Sequence, residues 1–167
     1  MELESGATRN LDHYREIHRT DARYGRSSQK LVGLIADVIR AGRRDDATWK
    51  PRTILDFGCG KSKAVDRVAS KLGLTAYRYD PAIPGLEQLP VQSADVVMNT
   101  DVLEHVDRDE VHMLLGDVRK LSDRAFFNIA TALAGKHLPN GENAHATVEP
   151  PEWWEAQVRQ HFSTVTR

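Results

Sequence analysis

The chain has 167 residues, of which 40% are hydrophobic and 28% are charged, and its 23 Lys and Arg nearly balance its 24 Asp and Glu. This composition is that of one folded domain, excludes disorder as the main state, and lacks the basic excess of a duplex-binding protein. A single cysteine excludes an intramolecular disulfide framework and a multi-cysteine zinc site, and no apolar run reaches the roughly 20 residues that span a bilayer.

The N-terminal part is predicted to be helical and basic. Its first ten residues are polar and lack the apolar core of a signal peptide, which favours a cytoplasmic protein. Over 9–44, nine basic residues stand against four acidic ones, so this segment is either a solvated helix face or a surface that receives an anionic substrate. Apolar residues three and four apart predict a helix over 28–40, capped by Ser27 or Ser28 and ended by Gly42.

A strand, a glycine turn and a helix follow in close succession. The short apolar run at 53–58 predicts a buried strand, and 62–73 carries its apolar residues on one helical face. A second strand is predicted at 75–80. The segment 81–90 holds three prolines and cannot form a regular helix.

The second half of the chain alternates strands and helices in the same way. Asp107 and Glu110 form a capping pattern for a helix, and the prolines at 150 and 151 suit the first turn of another. The predicted order is a strand at 94–99, a helix at 107–121, a strand at 124–130, a long loop at 131–149, a helix at 151–162 and a last strand from Ser163. This alternation predicts a three-layer α/β fold with a doubly wound, mostly parallel sheet, in which 53–58 is central between 75–80 and 94–99.

The glycine turn in LDFGCGKSK, residues 55–63, is the predicted ligand site. Gly58 and Gly60 let the backbone turn tightly and approach a ligand, at the end of the strand where open α/β sheets bind ligands. Asp56 is a poor neighbour for a pyrophosphate and suits an ammonium group or hydroxyls. The match to the dinucleotide pattern G-x-G-x-x-G is only partial, and the opening glycine of a phosphate-binding P-loop is missing.

Three blocks of the sequence resemble class I, Rossmann-like S-adenosylmethionine (SAM)-dependent methyltransferases of a small bacterial or phage type. Residues 55–63 resemble the family's first motif, D-x-G-C-G-x-G, although Lys61 to Lys63 replace its usual small residues. Asp80 matches the acid that binds the ribose hydroxyls, and 89–106 resembles the block around the fourth strand. The region of the third strand is shortened, and the C-terminal hairpin is truncated.

The resemblance, which covers about residues 50–130, implies SAM as the cofactor in a single domain. That domain would consist of an N-terminal helical segment (1–45), a cofactor-binding core (50–130) and a substrate-side loop with a C-terminal helix (131–167). The methionine end would lie near the glycine turn, and the adenine would lie near the segment after Asp80. The implied cofactor-binding residues are Asp56, Gly58, Cys59, Gly60, Asp80, Pro81, Asn99 and Asp101.

Methyl transfer needs an aligned nucleophile and a group that accepts its proton, so a base is expected after the fourth or fifth strand. The candidates are Asp101, Glu104, His105, His137 and His145, of which Glu104, His105 and His145 are the predicted catalytic residues. Glu104 and His105 could instead form a structural hydrogen-bonded pair. Metal binding by Asp101, His105 and a distant histidine has no recognisable ligand spacing, so no metal is expected. The loop at 131–149 is either a surface loop or a substrate lid.

The motifs of DNA-base methylation are missing after the fourth strand, since there is neither an Asn/Asp-Pro-Pro-aromatic sequence nor a Pro-Cys pair. We therefore expect a methyltransferase acting on an O- or N-nucleophile of a small molecule, with no nucleic-acid or membrane partner. The alternative is a SAM-binding module or partner subunit without transferase activity. The sheet beside 124–130 needs a cover, which could be helix 151–162, residues 1–25 or the second copy of a homodimer.

Overall fold

The computed structural model describes residues 11–165, and four strands lie at its centre in one parallel sheet. Their spatial order is β2-β1-β3-β4, which confirms the prediction that the first strand is central. Every neighbouring pair is parallel. The strands are β1 (Thr53–Phe57), β2 (Thr75–Tyr79), β3 (Val96–Thr100) and β4 (Ala125–Asn128).

Helices cover both faces of this sheet, as the predicted three-layer fold requires. They are α1 (Leu11–Thr20), α2 (Val32–Asp45), α3 (Ala64–Leu72), α4 (Val111–Leu121) and α5 (Pro151–Arg159), with 3-10 turns at Ser27–Leu31 and Leu103–His105. Side chains of α2 and α3 form one core with one face of the sheet, and those of α4 and α5 form a second core with the other face. None of the described helices has the length and apolar character that crossing a membrane requires.

The central strand contributes to both cores because its side chains alternate between the two faces. Ile54 lies with α2 and α3, whereas Leu55 and Phe57 lie with α4 and α5, and all three are buried. A strand that is buried on both faces is typical of a parallel sheet covered by helices. The continuous apolar run in the sequence therefore has its explanation in the layered fold.

Both predicted ends of the helix at 28–40 are wrong, since α2 begins at Val32 and ends at Asp45. Gly42 does not end α2, which continues to Asp45. A Cβ at position 42 would lie 2.8 Å from a ring carbon of Trp49, so glycine here makes room for that ring. Ser27 and Ser28 belong to a 3-10 turn without a side-chain cap, and their hydroxyls contact other loops instead.

Two predictions for the second half of the chain also need correction. The helix predicted from Asp107 begins at Val111, after a turn in which the Glu110 amide donates to the Asp107 carbonyl. The strand predicted from Ser163 is absent over 163–165, and the last two residues lie outside the described part. Phe162 and Val165 pack into the core of α4 and α5, so this segment extends that layer and adds no strand to the sheet.

One face of β4 is covered by α5 and by Phe162, which lies shortly after the end of this helix. The rings of Phe127 and Phe162 meet edge to face with centroids 5.6 Å apart, and Trp153 and Trp154 belong to the same cluster. Of the three predicted covers, the C-terminal helix therefore serves this face. The homodimer stays a prediction.

Candidate functional site

A cavity of about 1160 Å³ opens at the carboxyl ends of the central strands. Its wall includes Phe57, Tyr79 and Thr100, which end β1, β2 and β3. Pockets for one small molecule usually measure about 300–1,000 Å³, so this one has room for a cofactor beside a substrate. Nine of the predicted site residues line it, namely Gly58, Cys59, Gly60, Asp80, Pro81, Asp101, Glu104, His105 and His145.

The glycine turn has the conformation that its sequence predicts. Gly58 and Gly60 have φ values of +85° and +52°, a region that other residues rarely adopt. A Cβ on Gly58 would lie 2.4 Å from Val102, and one on Gly60 would lie 2.9 Å from the carbonyl oxygen of Gly25. Both positions therefore exclude a side chain. Burial raises the pKa of the Cys59 thiol between them, so this residue offers the cavity a neutral thiol.

The Asp80 carboxylate organises the loops on either side of it. Its Oδ2 accepts a hydrogen bond of 2.7 Å from the Gly60 amide, and its Oδ1 accepts one of 2.8 Å from the Ala82 amide. Asp80 is buried and lines the cavity. Because each carboxylate oxygen has a second lone pair, Asp80 can still accept hydrogen bonds from a bound ligand.

Two of the predicted cofactor-binding residues, Asp56 and Asn99, are not among those that line the cavity. Both are fully buried near the ends of the central strands. The Asn99 amide donates a 2.9 Å hydrogen bond to the Phe57 carbonyl, so it joins β3 to β1. Neither oxygen of the Asp56 carboxyl has a hydrogen-bond partner among residues 11–165. Burial, with the charge of Asp80 nearby, raises the pKa of Asp56 to about 8.

Asp101 joins three segments at the exit of β3. It has a φ of 56° and is the one non-glycine residue in the described part of the chain with a positive φ. Its carboxylate accepts hydrogen bonds from the side-chain amide of Asn128 at 2.5 Å and from the Ser27 hydroxyl. Its backbone N–H donates to the backbone carbonyl of Asn128. Such a backbone conformation costs energy and persists only where its surroundings hold it in place.

Glu104, His105 and His145 come together on another part of the wall. Glu104 is fully buried, and its Oε1 accepts a 3.0 Å hydrogen bond from the Ala130 amide. His105 donates from Nδ1 to the Ala144 carbonyl at 2.6 Å. The two side chains thus hold different segments of the chain, and not each other as the structural alternative required.

Burial has opposite effects on the two ionisable groups of this wall. It raises the pKa of Glu104 to about 7. It lowers the pKa of His105 to about 4, although the Ala144 carbonyl partly opposes the shift. The imidazole is therefore neutral at pH 7, and its proton is assigned to Nδ1 by the carbonyl acceptor.

The N-terminal segment forms a wall of the cavity through contacts that the sequence did not predict. The Lys61 ammonium donates to the carbonyls of His18 and Asp21, and the Lys61 amide donates to the Gly25 carbonyl at 2.9 Å. The Ser28 hydroxyl donates to Ser62 at 2.7 Å. Lys61 and Ser62, which depart from the family's motif, are therefore the residues that hold this wall.

The loop at 131–149 forms the adjoining part of the wall. His145 donates from Nδ1 to the Ala132 carbonyl at 2.6 Å, and the Tyr14 hydroxyl of α1 donates to the Ala144 carbonyl at 3.0 Å. Leu138 and Ala144 pack against α1 in a small apolar cluster. The loop thus covers the cavity, and whether it moves as a lid stays a prediction.

Comparison with known proteins shows which fold this is. No protein-family model matches the sequence, and no curated protein matches it. An O-methyltransferase family protein from Burkholderia thailandensis matches with a TM-score of 0.59 and 18% identity, over 92% of this chain and 54% of that one. The 1,6-didemethyltoxoflavin-N1-methyltransferase of the same organism, solved with 1,6-didemethyltoxoflavin and S-adenosylhomocysteine (SAH), matches with a TM-score of 0.63 and 14% identity, over 96% of this chain and 79% of that one.

The chain thus spans about half the length of the first of these structures. At these identities the likeness shows the fold, which is the Rossmann-like fold of methyltransferases. The prediction of fold class made from the sequence is confirmed.

The buried carboxyl of Asp56 makes a testable contribution to stability. Between about pH 4 and pH 8 the folded chain holds a proton on Asp56 that the unfolded chain has released, so the free energy of unfolding falls as the pH rises. Asp56→Asn cannot titrate. Between pH 5 and pH 8 the free energy of unfolding of the parent should fall, and that of the variant should fall by about 3–4 kcal/mol less.

Urea unfolding of the ligand-free protein at the two pH values measures this difference. Asp45→Asn, which changes an exposed carboxyl at the end of α2, is the matched control. Equal pH slopes in the parent and Asp56→Asn would show that Asp56 is ionised in the folded chain.

Proposed function

We propose that this protein is a SAM-dependent methyltransferase that acts on an O- or N-nucleophile of a small molecule. The observation that carries the proposal is the cavity at the carboxyl ends of β1, β2 and β3, whose wall combines the glycine turn with the Asp80 carboxylate. Open α/β sheets bind ligands at this position. The methyltransferase fold adds support from an independent direction.

The residues of this wall fit the chemistry of SAM. Gly58 and Gly60 allow the methionine part of the cofactor to lie against the backbone, and Asp80 offers a carboxylate to the two ribose hydroxyls. The adenine would lie beside Pro81, which also lines the cavity. Asp56 stays a predicted cofactor residue, since its carboxyl oxygens have no hydrogen-bond partner among the described residues and a cationic amine brought close to it would favour its ionised form. When bound, SAM supplies an electrophilic methyl group on a sulfonium.

The side chains proposed for the acceptor are Glu104, His105 and His145. They line the cavity that the glycine turn also lines, so an acceptor bound between them could meet the cofactor. A general acid or base works best when its pKa is near the working pH, and the pKa of Glu104 near 7 meets that condition. We propose that this wall binds the nucleophile and takes part in removing its proton.

The substrate we propose is small and anionic. Residues of the N-terminal segment and of the loop at 131–149 both line the cavity, whose volume suits a small molecule. Arg23, Arg26 and Lys30 also line it. These three residues belong to the basic segment 9–44, and we propose that they receive the anionic group, although carboxyl side chains line other parts of the same cavity. The N1-methyltransferase from B. thailandensis likewise holds a small molecule.

Loss of the Asp80 carboxylate tests cofactor binding. Charge-assisted hydrogen bonds contribute about 1.5–3 kcal/mol, so Asp80→Ala should weaken SAM binding by about ten- to a hundredfold in calorimetry. Asp95→Ala is the control, since the Asp95 carboxylate also accepts backbone hydrogen bonds, from Arg52 and Thr53, but at the other end of the sheet. That variant should lose stability and keep its SAM affinity. An unchanged affinity in Asp80→Ala would remove Asp80 from the site.

Loss of the Glu104 carboxyl tests transfer itself. Formation of SAH is measured with fractions of a small-molecule cell extract, and Glu104→Gln should lower its rate by about a hundredfold or more with SAM affinity unchanged. Glu149→Gln, which breaks a surface ion pair with Arg108, should keep the parent's rate. If the parent binds SAM and forms no SAH with any fraction, the alternative of a SAM-binding module without transferase activity is the better description.

A further inference from the structure

Three side chains of the cavity wall have the arrangement of metal ligands. One potential ligand atom from each of Glu104, His105 and His145 lies within 4.8 Å of the other two. Among residues 11–165 this is the one such group of three or more His, Cys, Asp and Glu side chains. The three residues come from two distant parts of the chain, the exit of β3 and the loop at 131–149, so only the fold brings them together.

Both imidazoles are oriented as ligands usually are. A metal-binding histidine nearly always donates its other ring N–H to a carbonyl or carboxylate, which fixes the tautomer and the ring. His105 and His145 each donate from Nδ1 to a backbone carbonyl, those of Ala144 and Ala132, at 2.6 Å. The Nε2 atom of each ring therefore keeps its lone pair for a ligand.

The Glu104 carboxyl supplies a second, independent observation. Its residue is fully buried, and while Oε1 accepts from the Ala130 amide, Oε2 has no hydrogen-bond partner in the described structure. A buried polar atom without a partner is costly. A cation beside Oε2 would remove that cost.

We propose that Glu104, His105 and His145 bind one divalent transition-metal ion and that the acceptor of the methyl group docks on this ion through a hydroxyl oxygen. Two imidazole nitrogens and one carboxylate oxygen suit Zn²⁺, Mn²⁺ or Fe²⁺, whereas Mg²⁺ and Ca²⁺ prefer oxygen ligands alone. Three protein ligands leave a position open, as catalytic metal sites do. This inference rests on the proposed function and narrows its substrate to a molecule with a hydroxyl nucleophile.

The ion would make the hydroxyl a better nucleophile. A metal-bound hydroxyl has a lowered pKa and can release its proton to water. The oxygen lone pair then forms the bond to the methyl carbon, the carbon–sulfur bond breaks, and its electron pair stays on sulfur, which loses the positive charge. In this arrangement Glu104, His105 and His145 hold the acceptor through the ion, and water, in place of the Glu104 carboxyl, takes the proton.

The test uses Co²⁺ and Zn²⁺ with the full chain, in a background without its surface histidine pair. His112 and His161 lie with ring nitrogens 2.9 Å apart on the exposed surface and could bind an adventitious ion. The double variant His112→Ala/His161→Ala removes them. We expect one Co²⁺ per chain in this background, with visible absorption bands of a low-coordinate site, and displacement of Co²⁺ by Zn²⁺ in calorimetry.

Two further variants in the same background locate the ion. His145→Ala and Glu104→Gln should each weaken Co²⁺ binding by more than about a hundredfold. Mutation of a residue that only hydrogen-bonds to a metal ligand already lowers metal affinity by about 10–100-fold. Thermal melting shows whether each variant is folded, and SAM calorimetry should give the parent's affinity. Absence of Co²⁺ binding in the background, or equal binding in folded His145→Ala and Glu104→Gln, would overturn the proposal. Failure of SAM binding would instead count against the proposed function, because metal affinity has its own readout.

Discussion

The site depends on the hydrogen bonds that fix the glycine turn to the end of β2. The Tyr79 carbonyl accepts from the amides of Gly58 and Cys59, and the Asp80 carboxylate accepts from Gly60. Parallel pairing of β1 with β2 brings these groups together, since Phe57 and Tyr79 are register partners and the two strands end side by side. With the turn fixed in this way, Gly58, Cys59 and Gly60 line the cavity together with the Asp80 carboxylate.

The rest of the structure is arranged around that turn. Gly25 of the N-terminal segment packs against Gly60, and Lys61 donates hydrogen bonds to this segment. The segment thereby forms one wall of the cavity. Asp101, with its unusual backbone, connects the exit of β3 to Ser27 and Asn128 and so to the wall that carries Glu104. The cavity therefore combines two chemically different regions, one with the glycine turn and Asp80 and one with a carboxyl and two imidazoles, which we propose receive the cofactor and the acceptor.

Apolar patterning was sufficient to predict the four strands, because buried parallel strands and amphipathic helices leave local signals, and the connection rules of α/β sheets then placed β1 between β2 and β3. The errors came from contacts between distant residues. Gly42 looks like a helix end but makes room for Trp49, and Ser27 looks like a cap but bonds Asp101. The sequence motif pointed to the glycine turn and Asp80, which line the cavity. It could not show that the Asn99 side chain hydrogen-bonds to β1 inside the sheet. Nothing local marks His18 or Tyr14 as part of the cavity wall, because α1 reaches it only in the folded chain.

A crystal structure of the full chain grown with SAH measures the central claim most directly. We expect SAH in the cavity at the ends of β1, β2 and β3, with its ribose hydroxyls in hydrogen-bond contact with Asp80, its amino-acid part against Gly58 and Gly60, and its adenine beside Pro81. SAH bound elsewhere, or a cavity that stays free of SAH at saturating concentration, would contradict the account. So would SAH in the cavity with its ribose out of reach of Asp80.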